Sequence, residues 1–468
     1  MKNELSFLCI MITSLDSFKN PFFIGIAGSG MSALAQYLKG IGKNVSGSDR
    51  FFKKDEYNEI RSKLEADGIH CFLQNGEGIT GGIDLVVASA AVEDTVIEIQ
   101  RAKQLDIPII MRAELLALIA KSKKTIAVGG TSGKSTTSAM LFDILDFAGL
   151  EPGIISGAGL TSLIKKGKIG NAKVGSGDWL VIEADESDGS IVQYHPEIGI
   201  LLNVDKDHKE VETLMEIFTT FKNNSSTFIV NRSNTLAGKL SQNIQFDFST
   251  EPGTDAGYEA TGFVQKGLNI SFRINHVLFE MKLLGKHNME NAVAAAATAH
   301  YLGVDLPTCA AALKNYEGIY RRHQVLGNKK GVWVIDDFAH NPVKCAAAIR
   351  ACQPVAPKVI AWFQPHGYGP TRFLRDDFVT EIAGALRPRD EIWMSEIFYA
   401  GGTAEKTISA NDLISDLRAM NKPAFFVADR ENFLKAVQPH LTDNCVLLLM
   451  GARDPSLEEF AKKIWKAL

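Results

Sequence analysis

Residues 125–141, TIAVGGTSGKSTTSAML, read as a buried β-strand, a glycine-rich turn and the start of a helix. Gly129, Gly130 and Gly133 permit positive φ and close backbone approach, so backbone N–H groups can surround an anion at the helix N-terminus, where the dipole favours negative charge. Lys134 adds a positive charge for nucleotide phosphates, and the hydroxyls of Ser135 and Thr136 suit Mg²⁺. A glycine turn with no ligand is the alternative. The pattern predicts a nucleotide phosphate-binding loop of the short GTxGKS form.

Two further predicted strand ends carry polar groups that suit a metal–nucleotide site. Residues 179–182 lead into Glu183, Asp185, Glu186 and Asp188, and residues 198–203 are followed by Asp207 and His208. Ligands collect at the carboxyl ends of strands in open α/β sheets, and Mg²⁺ prefers oxygen ligands. A solvated acidic turn and a surface histidine are the alternatives. Together with Lys134, these groups indicate a site for phosphoryl transfer.

A second glycine motif lies near the N-terminus. Residues 22–26 are strand-like, Gly28, Gly30 and Ala33 fit GxGxxA before a predicted helix, and Asp49 follows about 20 residues later. Glycines are also required where a strand and a helix pack tightly, so a structural role is the alternative. The motif predicts a bound phosphate or pyrophosphate and leaves the nucleotide open.

Length and composition narrow the function classes. A chain of 468 residues suggests about three domains. With 50 basic and 54 acidic residues the net charge is −4, which gives no electrostatic reason to expect nucleic acid. The six scattered cysteines favour reduced thiols in a cytoplasmic protein. Glu4 in the apolar start argues against a signal peptide, and no apolar run approaches the ~20 residues of a membrane span.

The alternation of strand and helix patterns predicts an α/β fold of three domains. We expect an N-terminal extension at 1–20, a Rossmann-like domain at 21–121, a central phosphate-loop domain at 122–317 and a second Rossmann-like unit at 318–468. Each domain is expected to contain a mostly parallel sheet covered by helices.

Ten short motifs in order carry a resemblance to one family. GIAGSGMSALA, SGSD, RAELLALI, GGTSGKSTT, EADESD, NVDKDH, GKHNMEN, YRRHQ, DDFAHNP and QPHGYGPTR resemble those of the Mur ligases of peptidoglycan synthesis, and are most similar to the branch that adds L-alanine. The resemblance runs from about Pro21 to the C-terminus. Ten ordered matches are far more specific than one glycine motif.

The resemblance implies an ATP-dependent ligase that joins L-alanine, or a similar small amino acid, to the carboxylate of UDP-N-acetylmuramate through an acyl phosphate. ATP and Mg²⁺ are the implied cofactors. The implied partners are small-molecule substrates. The protein is expected to be a cytoplasmic monomer or homodimer that is not inserted in a membrane. The implied UDP-sugar site is Gly28, Ser29, Gly30, Met31 and Asp49. The implied ATP site is Gly130, Thr131, Ser132, Gly133, Lys134, Ser135, Thr136, His287, Asn288, Asn291, Arg322 and Asp337. The implied metal ligands are Ser135, Glu183 and His208, the amino-acid site is His340, His366 and Arg372, and the catalytic residues are Lys134, Glu183, His208 and Arg372.

The stretch QPHGYGPTR departs from the family pattern, because Gly367 and Pro370 stand where arginines are usual in the alanine-adding branch. DDFAHNP also resembles the ligase that attaches murein tripeptide to UDP-N-acetylmuramate, which is an alternative reading. A solvated arginine is the alternative for Arg372. A nicotinamide-dependent oxidoreductase and a non-catalytic nucleotide-dependent regulator are alternatives of other classes. The oxidoreductase leaves Lys134, Glu183 and His208 without a role.

Overall fold

The computed structural model describes residues 12–205, 210–399, 401 and 405–468. The chain forms two compact units. Unit 1 comprises Met1–Thr261, Ile274–Val277 and Glu290–Glu317, and unit 2 comprises Gly262–Arg273, Leu278–Met289 and Gly318–Leu468. The chain therefore passes between the units several times, and neither unit is one continuous segment.

The first sheet of unit 1 is parallel, with the strand order β3-β2-β1-β4-β5. Phe23 of the central strand packs in a core with residues of α1 and α4, whereas the adjacent Phe22 packs on the opposite face with residues of α3. Both faces of the strand are therefore buried, as expected for a sheet covered by helices on each side. The elements are β1 Pro21–Ile24, α1 Ser29–Gly40, β2 Ser46–Asp49, α2 Glu59–Ala66, β3 His70–Leu73, β4 Leu85–Ala88, α3 Ile97–Gln104, β5 Ile109–Met111 and α4 Arg112–Lys121, preceded by a 3-10 turn Leu15–Ser17.

The second sheet of unit 1 has the order β11-β10-β6-β9-β7-β8 and is parallel except for the β7–β8 pair. β6 lies between β9 and β10, so groups at the carboxyl ends of these three strands are neighbours. The elements are β6 Lys124–Gly129, α5 Lys134–Phe147, β7 Gly153–Ile155, α6 Thr161–Ile164, β8 Ala172–Lys173, β9 Trp179–Glu183, a 3-10 turn Ser190–Gln193, β10 Ile198–Leu201, α7 Val211–Asn224, β11 Thr227–Val230 and α8 Thr235–Gly238.

A small sheet and two helices follow along the chain. The sheet has the order β12-β13-β14-β15. Its strands are β12 Phe248–Ser249, β13 Tyr258–Lys266, β14 Asn269–Ile274 and β15 Val277–Met281, and the helices are α9 Lys286–Tyr301 and α10 Leu306–Lys314. The alanine-rich stretch 292–297 of α9 is fully buried, which explains the small side chains.

The large sheet of unit 2 has the order β16-β17-β21-β18-β19-β20, with only the β16–β17 pair antiparallel. The last strand of the chain, β21, lies at the centre of this sheet, and every residue in it is buried. The elements are β16 Gln324–Lys329, β17 Val332–Asp337, α11 Pro342–Cys352, β18 Lys358–Gln364, α12 Tyr368–Phe373, α13 Arg375–Ala385, β19 Glu391–Met394, α14 Ala410–Ala419, β20 Ala424–Phe426, α15 Phe433–Val437, β21 Cys445–Gly451 and α16 Leu457–Ala467, with 3-10 turns at Arg430–Asn432 and Gln438–His440.

The predicted α/β class with mostly parallel sheets is confirmed. The strand predicted at 198–203 ends earlier, at Leu201, because residues 202–205 turn toward the phosphate loop. The three predicted boundaries between these four segments stay predictions. Cys71, Cys309, Cys345, Cys352 and Cys445 are free thiols. Among the helices of the described ranges, none combines the length and apolarity needed to cross a membrane.

Candidate active site

The phosphate loop lies at the carboxyl end of β6, where α5 begins at Lys134. Gly130 has a φ of +133° and Gly133 a φ of +87°, in the region that side-chain-bearing residues rarely adopt. A Cβ on residue 133 would lie 2.4 Å from Oδ1 of Asn291. Both the backbone conformation and the lack of space therefore require glycine at position 133.

The Lys134 side chain is folded back onto the loop and onto the acidic segment after β9. Its Nζ donates to the Gly130 carbonyl at 2.8 Å and to Oε2 of Glu186 at 2.6 Å, and Oδ1 of Asp185 lies 3.9 Å away. Burial lowers the pKa of Lys134, but Glu186 and Asp185 raise it more, so the net direction is upward. Burial raises the pKa of Glu186, and Lys134 opposes that shift. The ammonium group thus stays charged and is already paired.

Glu183, the last residue of β9, accepts hydrogen bonds on both carboxylate oxygens. Oε2 accepts from Ser135 Oγ at 2.9 Å, whereas Oε1 accepts from Ser156 Oγ at 2.5 Å and from the Gly157 N–H at 2.7 Å. A carboxylate beside a phosphate-loop hydroxyl offers the oxygen donors that Mg²⁺ prefers. The predicted ligands Ser135 and Glu183 are therefore brought together, and their chemistry fits the ion.

The third predicted metal ligand, His208, lies outside the described residues, as does Asp207. Within the described part of the chain, no cluster of three or more His, Cys, Asp or Glu side chains has metal-binding geometry. The metal set therefore stays a prediction.

Residues just after β10 are hydrogen-bonded to the middle of the phosphate loop. Oδ1 of Asn203 accepts from Thr131 Oγ1 at 2.9 Å and from the Ser132 N–H at 2.8 Å. The Asp205 N–H donates to Thr131 Oγ1 at 3.1 Å. Asn203 was not predicted to contact the phosphate loop, although it begins the motif NVDKDH, because the register between β6 and β10 is not visible in the sequence.

The residues predicted for the start of α9 have different surroundings. In unit 1, Oδ1 of Asn291 accepts from Thr137 Oγ1 of α5 at 3.2 Å, so it lies against the phosphate-loop helix. In unit 2, Asn288 Nδ2 donates to the Leu284 carbonyl at 2.7 Å, a bond that braces the helix start. Burial and nearby His323 lower the pKa of His287 to about 3, which leaves its ring neutral.

The first glycine turn of unit 1 lies between β1 and α1. Gly28 is the residue before α1, and Ser29, Gly30 and Met31 form its first turn. Asp49, at the end of β2, is buried and accepts from the Ala27 N–H and the Phe51 N–H, each at 2.9 Å. The carboxylate thus holds the glycine turn against the neighbouring strand.

A cleft of about 410 Å³ opens beside Asp49. Glu98 of α3 is fully buried at its edge, and its Oε1 accepts from Ser48 Oγ at 3.1 Å and from the Gly76 N–H at 3.3 Å. Glu98 was not predicted from the sequence. The cleft is lined by Asp49, Arg50, Phe52, Leu73, Gln74, Val96, Ile97 and Glu98.

In unit 2, Asp337 is the last residue of β17, and its carboxylate accepts hydrogen bonds from the backbone of nearby loops. Its Oδ1 accepts from the Ala339 N–H at 2.7 Å, and its Oδ2 accepts from the His323 N–H at 2.6 Å. The guanidinium group of Arg322 lies over the Phe338 ring, 4.8 Å from its centroid. The structure therefore assigns Asp337 a bracing role between two loops, and its predicted contact with ATP stays a prediction.

Two of the predicted amino-acid residues of unit 2, His340 and His366, lie close together after β17 and β18. The rings of His340 and His366 are 5.7 Å apart, and burial lowers the pKa of His340 to about 3. Arg372 is exposed, and its Nη1 donates to Thr407 Oγ1 at 2.8 Å. Gly367 has a φ of +73°, so the turn that departs from the family pattern needs glycine for its conformation.

Three family models cover most of the chain. Residues 22–124 match "Mur ligase family, catalytic domain", residues 128–299 match "Mur ligase middle domain" and residues 321–453 match "Mur ligase, glutamate ligase domain". The chain belongs to the Mur ligase family. The resemblance predicted from ten motifs is thereby confirmed.

Individual Mur ligases are similar over nearly the full length. The UDP-N-acetylmuramate–L-alanine ligase of Syntrophomonas wolfei is 34% identical over 452 residues, covering 92% of this chain and 94% of that protein. The protein of the same name from Gloeobacter violaceus is 31% identical over 438 residues, with 92% of each chain covered.

Solved Mur ligase structures agree with this fold. The UDP-N-acetylmuramate–alanine ligase of Thermotoga maritima superposes with a TM-score of 0.79 at 25% identity, covering 96% of this chain and 99% of that one. A murein peptide ligase of Psychrobacter arcticus has a TM-score of 0.68 at 20% identity, covering 96% and 98%, and supports the fold alone.

Proposed function

We propose that the chain is an ATP-dependent ligase that joins L-alanine, or a similar small amino acid, to the carboxylate of UDP-N-acetylmuramate. ADP and phosphate are the other products. The observation that carries the proposal is the group of Lys134, Ser135 and Glu183 at the ends of β6 and β9 in a Mur ligase whose similar relatives are named as L-alanine-adding enzymes.

The chemistry explains why such a group is needed. A carboxylate is a poor electrophile, so the γ-phosphoryl group is transferred to it and gives an acyl phosphate with a good leaving group. Lys134 would stabilise the negative charge that develops on the transferred phosphoryl group. Ser135 and Glu183 would hold Mg²⁺, which neutralises phosphate charge when bound.

The amine then attacks the acyl phosphate and displaces phosphate. The substrate pieces are expected on separate domains, and exclusion of water is required because the acyl phosphate hydrolyses readily. In the proposed assignment, His340, His366 and Arg372 orient the amino acid, while Gly28, Ser29, Gly30, Met31 and Asp49 hold the UDP moiety.

The test is phosphate release from ATP with UDP-N-acetylmuramate and one acceptor at a time. We expect release that depends on both the sugar nucleotide and L-alanine, glycine or L-serine. Dependence on murein tripeptide alone would establish the alternative recycling ligase instead. ATP binding without acceptor-dependent release would favour a regulator, and NADH binding detected by fluorescence would favour an oxidoreductase.

A further inference from the structure

The first turn of α1 is hydrogen-bonded to the buried side chain of Asn171, the residue immediately before β8 in the second sheet of unit 1. Its Nδ2 donates to the Ser29 carbonyl at 2.7 Å and to Ser32 Oγ at 3.0 Å, and its Oδ1 accepts from Gln36 Nε2 at 2.8 Å. Only 2% of the residue is exposed. The three hydrogen bonds of this side chain thus all go to residues of α1.

The backbone of Asn171 continues the connection toward the phosphate loop. Its carbonyl accepts from the Ser156 N–H at 2.9 Å, and Ser156 Oγ donates to Oε1 of Glu183 at 2.5 Å. The other carboxylate oxygen accepts from Ser135 Oγ. Hydrogen bonds connected through Asn171, Ser156 and Glu183 thus join the turn predicted for UDP to the hydroxyl and carboxylate predicted for Mg²⁺–ATP.

Arg112, the first residue of α4, provides a second connection. A Cβ built on Gly30 would lie 3.1 Å from Arg112 Cδ, and Arg112 Nη2 donates to Asp188 Oδ2 at 2.9 Å. The Gly189 N–H donates to the Glu186 carbonyl at 3.1 Å, so Asp188 lies in the same turn as Glu186. Glu186 is the residue that pairs with Lys134. The side chain of Arg112 therefore spans from the first glycine motif to the acidic segment.

We propose that Asn171 is a positioning residue that couples the two nucleotide sites. An anion bound at the N-terminus of α1 would order the first helical turn, and through Asn171 and Ser156 this order reaches Glu183. Binding of the sugar nucleotide would therefore strengthen binding of the Mg²⁺–ATP complex by some factor. By thermodynamic linkage, Mg²⁺–ATP strengthens binding of the sugar nucleotide by that same factor. The inference rests on the proposed function, because it takes the two ligands from it.

The experiment is isothermal titration calorimetry with the full chain. UDP-N-acetylmuramate is titrated without and with a saturating non-hydrolysable ATP analogue and Mg²⁺, and the ratio of the two dissociation constants is the coupling factor. We expect a coupling factor of roughly five or more for the unmodified protein. In Asn171→Ala the factor should fall to about one.

Two further variants keep the test sharp. Ser156→Ala removes the hydroxyl bond to Glu183 but keeps the backbone bond to Asn171, and it should also lose coupling even if Asn171→Ala fails to fold. Lys63→Gln, which removes a partly exposed pair with Glu59 on α2, is the matched control and should keep the full factor. A purely structural role would weaken both ligands alike and leave the ratio unchanged.

An unchanged ratio in a folded Asn171→Ala and in Ser156→Ala would overturn the inference, as would a factor of one in the unmodified protein. Parallel phosphate-release assays separate this from failure of the proposed function. Turnover without coupling rejects only the inference, whereas coupled binding without turnover rejects only the ligase reaction.

Discussion

The two glycine turns of unit 1 each follow a strand and precede a helix, but they differ in their charge and in the contacts that hold them. The phosphate loop has two glycines of positive φ, a lysine and neighbouring carboxylates. The turn before α1 has its positive φ at Gly25, contains no lysine, and is held from outside by Asp49, with the Arg112 side chain lying close to Gly30. One turn thus carries its charge within the loop, whereas the other depends on neighbouring segments.

The largest effect expected from this difference is on Lys134. Lys134→Ala removes the cation that belongs to the phosphate loop itself, so phosphate release should fall by about 10³-fold. Affinity for the sugar nucleotide measured alone should be nearly unchanged. The assay is steady-state phosphate release, with Lys168→Ala as a control because Lys168 pairs with Asp67 at the surface. Retention of most activity would show that the loop does not depend on its own charge.

Gly133→Ala tests the positive φ and the lack of space in the phosphate loop. Left-handed backbone costs roughly 1–2 kcal/mol for a residue with a Cβ, and the 2.4 Å approach to Asn291 adds to that strain. We expect ATP affinity to weaken by more than about tenfold. Gly149→Ala is the matched control, since it has a φ of +76° with open space around it. Equal ATP affinity in both variants would contradict the importance of the Asn291 contact.

Asp49→Asn tests the external brace of the first turn. The substitution replaces one accepting oxygen with an amide that opposes a backbone N–H, so the free energy of unfolding should fall by about 2 kcal/mol. Sugar-nucleotide affinity should fall as well, while ATP affinity stays constant. Chemical denaturation and calorimetry measure the two quantities, with exposed Asp16→Asn as the control. A loss of ATP affinity alone would reverse the assignment of the two turns.

Gly30→Ala should have the smallest effect. Gly30 does not have positive φ, and the new methyl group would meet only the flexible side chain of Arg112 at 3.1 Å. We expect about fivefold weaker sugar-nucleotide binding, equivalent to roughly 1 kcal/mol of overpacking. Gly81→Ala, which has no atom within 4 Å of the new Cβ, is the control. An effect as large as that of Gly133→Ala would mean that the two turns have the same steric requirement.

The sequence allowed the phosphate loop to be predicted because its glycines, lysine and hydroxyls are contiguous and act through local backbone geometry. The α/β class followed in the same way from alternating strand and helix patterns. Asn171 and Ser156 could not be predicted, since the bond from Asn171 to Ser29 joins residues 142 positions apart and depends on tertiary packing. The central position of β21 in unit 2 was hidden for the same reason.

Asp337 shows that a sequence motif does not reveal the contacts of its residues. A motif indicates which side chains matter but not which contacts they make, and here both carboxylate oxygens accept backbone N–H groups from nearby loops. Its role is therefore visible only when the donors of the neighbouring loop are located.

The pairing of Lys134 with Glu186 has a consequence for selectivity. Because the ammonium group is already neutralised, a polyphosphate must compete with a buried carboxylate before it can gain the lysine. We therefore expect an anion that makes few other contacts, such as inorganic phosphate, to bind the loop more weakly than a nucleoside triphosphate. Such competition would favour a ligand whose divalent counter-ion can pair with the displaced Glu186 carboxylate.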